Sequence, residues 1–252
     1  MAKDLSVIVP AYNESKTIGL IINNLAEHLT MFDYEILVVN DASSDNTADL
    51  VSEIAAQNGN VRLLQHTINQ GKTPSLITGF KASQGNIVIV QDADLEYDPA
   101  DIQRVISPIL NHSADVVYGS RMLDPTNRKK FLVESYIANK VITFVSNFFT
   151  RYKFSDVETC YKAFRREIIQ NMVINSRRFG FEIEVTAKIS KLDLRVREIP
   201  ISFSSRSYDE GKKINAMDGI QALYYILKYN LFSSKENSFV QEPNLQEDTP
   251  QT

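Results

Sequence analysis

Along the first 120 residues, short apolar runs alternate with stretches whose apolar residues recur every three or four positions. Leu5–Val9, Ile36–Val39, Val61–Gln65, Ile87–Val90 and Ala114–Tyr118 read as strands. Glu14–Leu29 reads as a helix, with Ile18, Ile21, Ile22, Leu25 and Leu29 on one face. Asp45 is placed to cap a second helix that runs through Ala56 and closes at Gly59. Thr73–Ser83 is a third helix, ending at Gly85. Asp98-Pro99 opens a fourth, with proline where a missing N–H costs nothing. Repeated strand–helix units predict an α/β, Rossmann-like fold: a mostly parallel sheet with helices on both faces.

The second half is less regular. Ser135–Arg151, Phe181–Leu192 and Ile214–Phe232 have helical spacing, while Cys160–Arg165 and Leu194–Phe203 read as strands. A short helix follows Arg165, and Ile214–Phe232 is a C-terminal amphipathic helix. From Ser233 the chain turns polar, and residues 233–252 are expected to form a disordered tail. Residues 1–232 are expected to form one domain, with 1–121 as its ligand-binding half and 122–232 as its acceptor-binding half.

Composition narrows the class. A net charge of -4 gives no basic excess and argues against a nucleic-acid partner. The single cysteine, Cys160, excludes an internal disulfide, fits a reducing, cytoplasmic compartment and reads as a small buried residue. His28, His66 and His112 are scattered, so no zinc site is indicated. No stretch reaches the roughly 20 apolar residues that span a bilayer, so the chain is expected to be soluble or peripheral.

The chemistry gathers after the strands. The run "IVIVQDADLEYDP" sends a buried strand straight into Asp92, Asp94, Glu96 and Asp98. Asp98 is read as a helix cap; the other three would repel one another unless a positive charge joined them. After the first strand come Pro10, Tyr12 and Glu14, after the second Asp41, after the third Asn69, Gly71 and Lys72, and after the fifth Arg121. Ligands of parallel α/β sheets bind beyond the carboxyl ends of the strands, so these loops are expected to converge. The inventory suits a nucleotide diphosphate with Mg²⁺ or Mn²⁺, since such a cation takes one or two carboxylates plus phosphate oxygens. Tyr12 is placed to stack on a base and Asp41 to accept from a base N–H. Glu14 serves equally well as a first-turn carboxylate.

In this order, "VIVPAYNE", "VVNDASSDNT", "NQGK", "DADLEYDP" and "GSR" resemble the family 2 glycosyltransferases of the GT-A fold. "DVETCYKAFRR", "FGFEIE" and "SSRSYDEGKKI" narrow the resemblance to the dolichyl-phosphate mannose synthase-like and polyprenyl-phosphate glycosyltransferase-like branch. The resemblance implies that Pro10, Tyr12, Glu14 and Asp41 hold the nucleoside. Asp92 and Asp94 match the DxD motif, and Asp94 is the expected direct metal ligand. Glu96 stands where the synthases often have Gln and is expected to join the metal. Arg121, Arg206, Lys212 and Lys213 match basic residues near the phosphates, and Asp156 lies close to the reacting centre. Asp94, Asp156, Arg121 and Arg206 are thus the expected catalytic set, with Lys72 beside the donor.

The resemblance also implies an enzyme that inverts the anomeric centre in one displacement. It would move mannose or glucose from a nucleotide sugar of the GDP-mannose or UDP-glucose type to a polyprenyl or dolichyl phosphate. A lipid phosphate needs positive guidance; a saccharide hydroxyl would need a base, for which Asp156 is the candidate. The basic segment from Ser204 onward and the apolar helices Ser135–Arg151 and Ile214–Phe232 favour the lipid and a place on the cytoplasmic face of a membrane. Transfer to a saccharide hydroxyl and a non-catalytic nucleotide-sugar-binding protein remain the alternatives. A homodimer or a membrane-protein partner is left open.

Overall fold

A computed structural model describes residues 3–177, 180–205, 216–241 and 243, with side chains left out at 216–218. Seven strands form one sheet: β1 (Leu5–Ala11), β2 (Tyr34–Asn40), β3 (Val61–Gln65), β4 (Ile87–Val90), β5 (Val116–Ser120), β6 (Lys162–Arg165) and β7 (Val196–Pro200). Their order is β3-β2-β1-β4-β6-β5-β7. All neighbours pair in parallel except β6, which runs antiparallel to both β4 and β5. Every residue of β2 and β4 is buried, as is every residue of β1 but Pro10, which is half-buried. Successive side chains point to opposite faces, so both faces of the sheet are covered, and the central strands read as unbroken apolar runs. Edge strand β7 carries Arg197 and Glu198 and is only half-buried, which protects an unpaired edge.

The helices are α1 (Ile18–His28), α2 (Thr47–Gln57), α3 (Lys72–Ala82), α4 (Ile102–Leu110), α5 (Val133–Phe149), α6 (Arg166–Asn171), α7 (Phe181–Ile189), α8 (Ala216–Leu231) and α9 (Lys235–Ser238). Helix α3 packs close on the sheet: a Cβ on Gly79 would lie 2.3 Å from Ile8 Cγ2. Asp98 caps the turn before α4, as expected, by accepting from Ala100 N–H.

Several boundaries differ from expectation. Helix α1 begins at Ile18 rather than Glu14. Residue Asn13 has φ 55°, and Glu14 N–H donates to Thr47 Oγ1, so residues 14–17 form turns ahead of the helix. Asp45 accepts from the N–H groups of Ser15 and Thr47, one step before the helix it was expected to cap directly. The expected disorder from Ser233 is corrected at its start. Ser234 and Asn237 form a capping box, buried Phe239 bridges Met172, and Val240 N–H donates to Asn171 C=O. One large apolar side chain anchors a segment whose average composition is polar.

Candidate active site

The loops after β1, β2 and β3 are laced together. Asn13 N–H donates to Ser43 Oγ, and Ser44 N–H to Asn13 Oδ1. Pro10 pairs with Val39 and Ala11 with Asn40 at the end of the β1–β2 register, and Tyr12, 39% exposed, stands just beyond. Asp41 is buried. Its carboxylate accepts from Gln70 N–H (2.9 and 3.1 Å) and Gly71 N–H (2.6 Å), and His66 Nδ1 lies 2.7 Å away. The carboxylate thereby shapes the 69–71 turn. Gly71, at φ 95°, occupies a conformation that suits glycine and delivers the chain into α3.

That turn places Lys72 at the first position of α3. Its ammonium lies 2.9 Å from Asp92 and 3.1 Å from Glu182, which stands in the first turn of α7. Burial alone would lower the Lys72 pKa; the two carboxylates outweigh it and hold the ammonium well above its ordinary range. Lys72 thus sets a positive charge against Asp92, one member of the acidic loop. Asp94 Oδ1 accepts from Glu96 N–H, turning the loop back on itself.

Because β6 runs antiparallel, the segment leading into it, 156–161, reaches the same end of the sheet as the carboxyl ends of β4 and β5. Cys160 N–H donates to Tyr97 Oη, and Tyr161 Oη bonds to Gln91 Oε1 at 2.5 Å. Burial and the nearby Asp92 charge push the Cys160 thiol well up, so it is an inert packing residue, as the sequence implied. Lys162 is fully buried, donating to the carbonyls of Val157 and Thr159. Burial lowers its pKa against the pull of Glu182, Asp156 and Glu158. Burial, joined by the Glu182 charge, pushes Glu158 upward.

Arg121 and Asp156 form a buried fork: Nε to Oδ2 at 2.7 Å and Nη2 to Oδ1 at 2.8 Å. Arg121 is 10% exposed, and its guanidinium lies against the rings of Phe131 and Phe203. Asn139 of α5 adds a 2.6 Å bond to Asp156. Burial would raise the Asp156 pKa, but the Arg121 charge and the bonds from Arg121 and Asn139 win, and the net shift is downward. A buried carboxylate with a lowered pKa is a poor proton acceptor. Asp156 holds Arg121 in place.

A divalent cation fits the donor set. Asp92 and Asp94 are half-buried hard oxygen donors at a strand end, and such cations need only one or two carboxylates beside substrate phosphates. Among the described residues no three His, Cys, Asp or Glu side chains form a ready cage, so the expected set Asp92, Asp94 and Glu96 is not assembled as one. The reason lies in the contacts above: Asp92 is drawn to Lys72, and Asp94 caps its own turn. Arg206, Lys212 and Lys213 lie outside the described residues.

A family model described as glycosyl transferase family 2 matches residues 6–173. The chain belongs to this family. This glycosyltransferase is 29% identical over 243 residues to a UDP-N-acetylglucosamine–dolichyl-phosphate N-acetylglucosaminyltransferase of Methanococcus voltae, covering 89% of this chain and 95% of that one. It is 28% identical to an undecaprenyl-phosphate mannosyltransferase of Micrococcus luteus, covering 89% and 93%. An uncharacterized protein of Methanocaldococcus jannaschii is 30% identical, covering 91% and 93%. Among solved structures, Mycobacterium tuberculosis glucosyl-3-phosphoglycerate synthase superposes with a TM-score of 0.68 at 20% identity, covering 92% of this chain and 82% of that one. At that identity the likeness is one of fold, the GT-A class. The same synthase is known in complex with Mn²⁺, UDP and phosphoglyceric acid.

Glu182, Glu158, Lys162 and Asn139 were not singled out from the sequence of this family 2 enzyme. The first three lie inside motifs that were recognised, "FGFEIE" and "DVETCYKAFRR", but their partners are remote in sequence.

Proposed function

We propose that the chain transfers a neutral hexose from a nucleotide diphosphate sugar to a polyprenyl phosphate, with inversion, at the cytoplasmic surface of a membrane. One observation carries the choice of acceptor. Helix α5 touches the site through Asn139, which binds Asp156, and turns Val133, Ile137, Val141, Phe144 and Phe148 to solvent. Helix α8 packs beside it and exposes Ile220, Tyr224, Leu227 and Leu231 at the same helical spacing. Two adjoining apolar stripes, with Lys140 and Lys228 among them, suit a lipid surface. No helix among the described residues is long and apolar enough to cross a membrane. A lipid lying on this face would bring its phosphate towards Arg121. The names of the relatives from Methanococcus and Micrococcus point to the same acceptor class.

In this reading Tyr12 and the turn framed by Asp41 border the nucleoside, and Asp92 and Asp94 would hold Mg²⁺ or Mn²⁺. The metal would stabilise the charge growing on the leaving diphosphate. Lys72 stands beside Asp92 and adds a fixed positive charge there. Arg121, kept in orientation by Asp156, guides the acceptor phosphate, and Arg206, Lys212 and Lys213 extend that guidance. An ionised phosphate needs no base, which agrees with the locked state of Asp156. Were the acceptor a saccharide hydroxyl, Glu158, with its raised pKa, would be the better base.

The test is transfer from labelled UDP- and GDP-hexoses, with Mn²⁺, to polyprenyl phosphate in detergent and to soluble saccharides in parallel. Label entering the organic phase is the expected result. Label only on soluble glycans overturns the acceptor assignment, and donor binding without turnover on either overturns the assignment of transfer.

A further inference from the structure

Beyond β7 the chain runs through a strap, residues 201–204, that is bonded at each step. Ile201 N–H donates to Ser120 C=O at the end of β5, and Ser202 N–H to Asp101 Oδ2 ahead of α4. Phe203 pairs with Tyr97 in an antiparallel bridge, and Ser204 N–H donates to Glu96 C=O at 2.9 Å. The acidic loop after β4 is thus fastened by its own main chain to a segment remote in sequence. The side chain in the middle of the strap reaches Arg121. The Phe203 ring is buried, 5.8 Å from the Tyr97 ring and 4.7 Å from the Phe131 ring. The Arg121 guanidinium carbon lies 5.2 Å from Phe203 and 5.4 Å from Phe131. Asp156 fixes the plane of the guanidinium, and the two rings fix where it rests. Phe131 belongs to the turn before α5, outside the strap.

We infer that Phe203 is a positioning residue that couples the acidic loop to Arg121, so that a ligand held at one strengthens binding at the other. The inference rests on the functional reading above, in which Asp92 and Asp94 hold the cation and Arg121 meets the acceptor phosphate, and adds the element that joins the two events. Asp92 is drawn to Lys72, and Asp94 accepts from Glu96 N–H within its own turn. A cation shared by the two carboxylates competes with both contacts and so pulls on the 94–96 turn. Glu96 and Tyr97 carry that pull to Ser204 and Phe203, because close-packed groups shift together rather than deform. The Arg121 guanidinium rests on the ring that shifts. Ordering the loop first leaves less to order when a phosphate arrives, and linkage makes the effect reciprocal.

The test is calorimetry of farnesyl phosphate binding to the full chain in detergent, alone and with saturating Mn²⁺ plus UDP or GDP, whichever binds. Wild type should bind the lipid phosphate at least about fivefold more tightly once the metal nucleotide is in place. Phe203→Leu removes the ring and keeps the main-chain bridge, while Ser204→Pro removes the N–H that meets Glu96 C=O and keeps the ring. Each should bring that ratio below about twofold. Phe131→Leu should weaken farnesyl phosphate in both states and keep the ratio, since its ring lines Arg121 from outside the strap. An unchanged or lowered affinity in wild type overturns the inference. So does a ratio that survives in either strap variant, as attraction between metal and phosphate alone would give, or one that Phe131→Leu abolishes equally. Should Phe203→Leu fail to fold by circular dichroism, Ser204→Pro carries the comparison. If wild type binds neither nucleotide, or no farnesyl phosphate in either state, the functional reading itself falls.

Discussion

Replacing Asp156 with asparagine should destabilise the fold before it alters any proton transfer. The substitution removes the charge from a fully buried carboxylate that grips Arg121 through two bonds of 2.7 and 2.8 Å and takes a third, 2.6 Å, from Asn139. The guanidinium is left charged and nine-tenths buried, against two aromatic rings. An asparagine can offer one carbonyl oxygen to these donors and directs an amide at the others. Breaking a buried pair from one side costs about 3–5 kcal/mol. For a chain of this size that lowers the Tm by roughly 6–20 °C at about 2–4 °C per kcal/mol. Urea unfolding of Asp156→Asn, Arg121→Met and the double variant measures it. The double variant should lose less than the sum of the singles by at least about 1 kcal/mol, since neither charge is then stranded. Stability of Asp156→Asn within about 1 kcal/mol of wild type would refute the reasoning. An unchanged Tm with transfer abolished would restore Asp156 as a proton acceptor.

Asp94→Ala should abolish the rise in Tm that Mn²⁺ and a nucleoside diphosphate produce together; a variant that keeps the full rise places the metal elsewhere. Glutamate at Phe144 and Phe148, which are 75% and 78% exposed, should cut co-sedimentation with anionic vesicles at least tenfold, while the Tm stays put because neither side chain is in the core. Gly79→Ala should cost about 1–3 kcal/mol in urea unfolding, since its Cβ would press on Ile8, a fully buried residue, despite alanine's better helix propensity. Asp115, held by Arg195 and Arg165, and Asp156 both have pKa values below the ordinary 3.8 despite burial. A depressed native pKa adds stability above the unfolded value and loses it as pH falls through the native one, so unfolding should set in below about pH 4 and Asp115→Asn should flatten that limb.

How far the sequence could be read depends on where each feature gets its energy. Strands β3 and β4 have the bounds expected from pattern alone, because short apolar runs between turn residues carry their own signal. Strand β5 starts two residues later than its apolar run, and β7 is half the expected length; both sit in the outer part of the sheet, where neighbours decide where pairing stops. The direction of β6 leaves no local trace, since a strand's pattern is the same read either way. Yet that reversal is what carries Asp156, Glu158 and Thr159 to the site. The acidic residues after β4 were visible as a problem in electrostatics, and a cation could be demanded. That it would be Lys72, shared with Glu182 more than a hundred residues away, depends on the packing of α3 and α7 at the strand ends. Phe239 shows the opposite limit: one apolar residue fixed a segment that composition assigned to solvent.

The charge balance of the site explains how it can exist without its ligands and why it should want them. Among the described residues named above, the acids Asp92, Asp94, Glu96, Asp156, Glu158 and Glu182 outnumber the cations Lys72, Arg121 and Lys162. Three devices keep that excess tolerable. Lys72 binds two carboxylates at once, the first turn of α7 offers Glu182 the positive end of a helix, and Asp94 accepts a backbone N–H. At an effective dielectric of 20, each unit pair 4 Å apart is worth about 4 kcal/mol, so every further negative charge is strongly opposed. A bare diphosphate would add such charges and should bind weakly on its own. If Asp92 and Asp94 hold a divalent cation, as proposed, its entry with the diphosphate would reverse the sign of the interaction there. The same acidity would make binding of the diphosphate depend on the cation that enters with it, and the Asp94→Ala measurement reads that dependence.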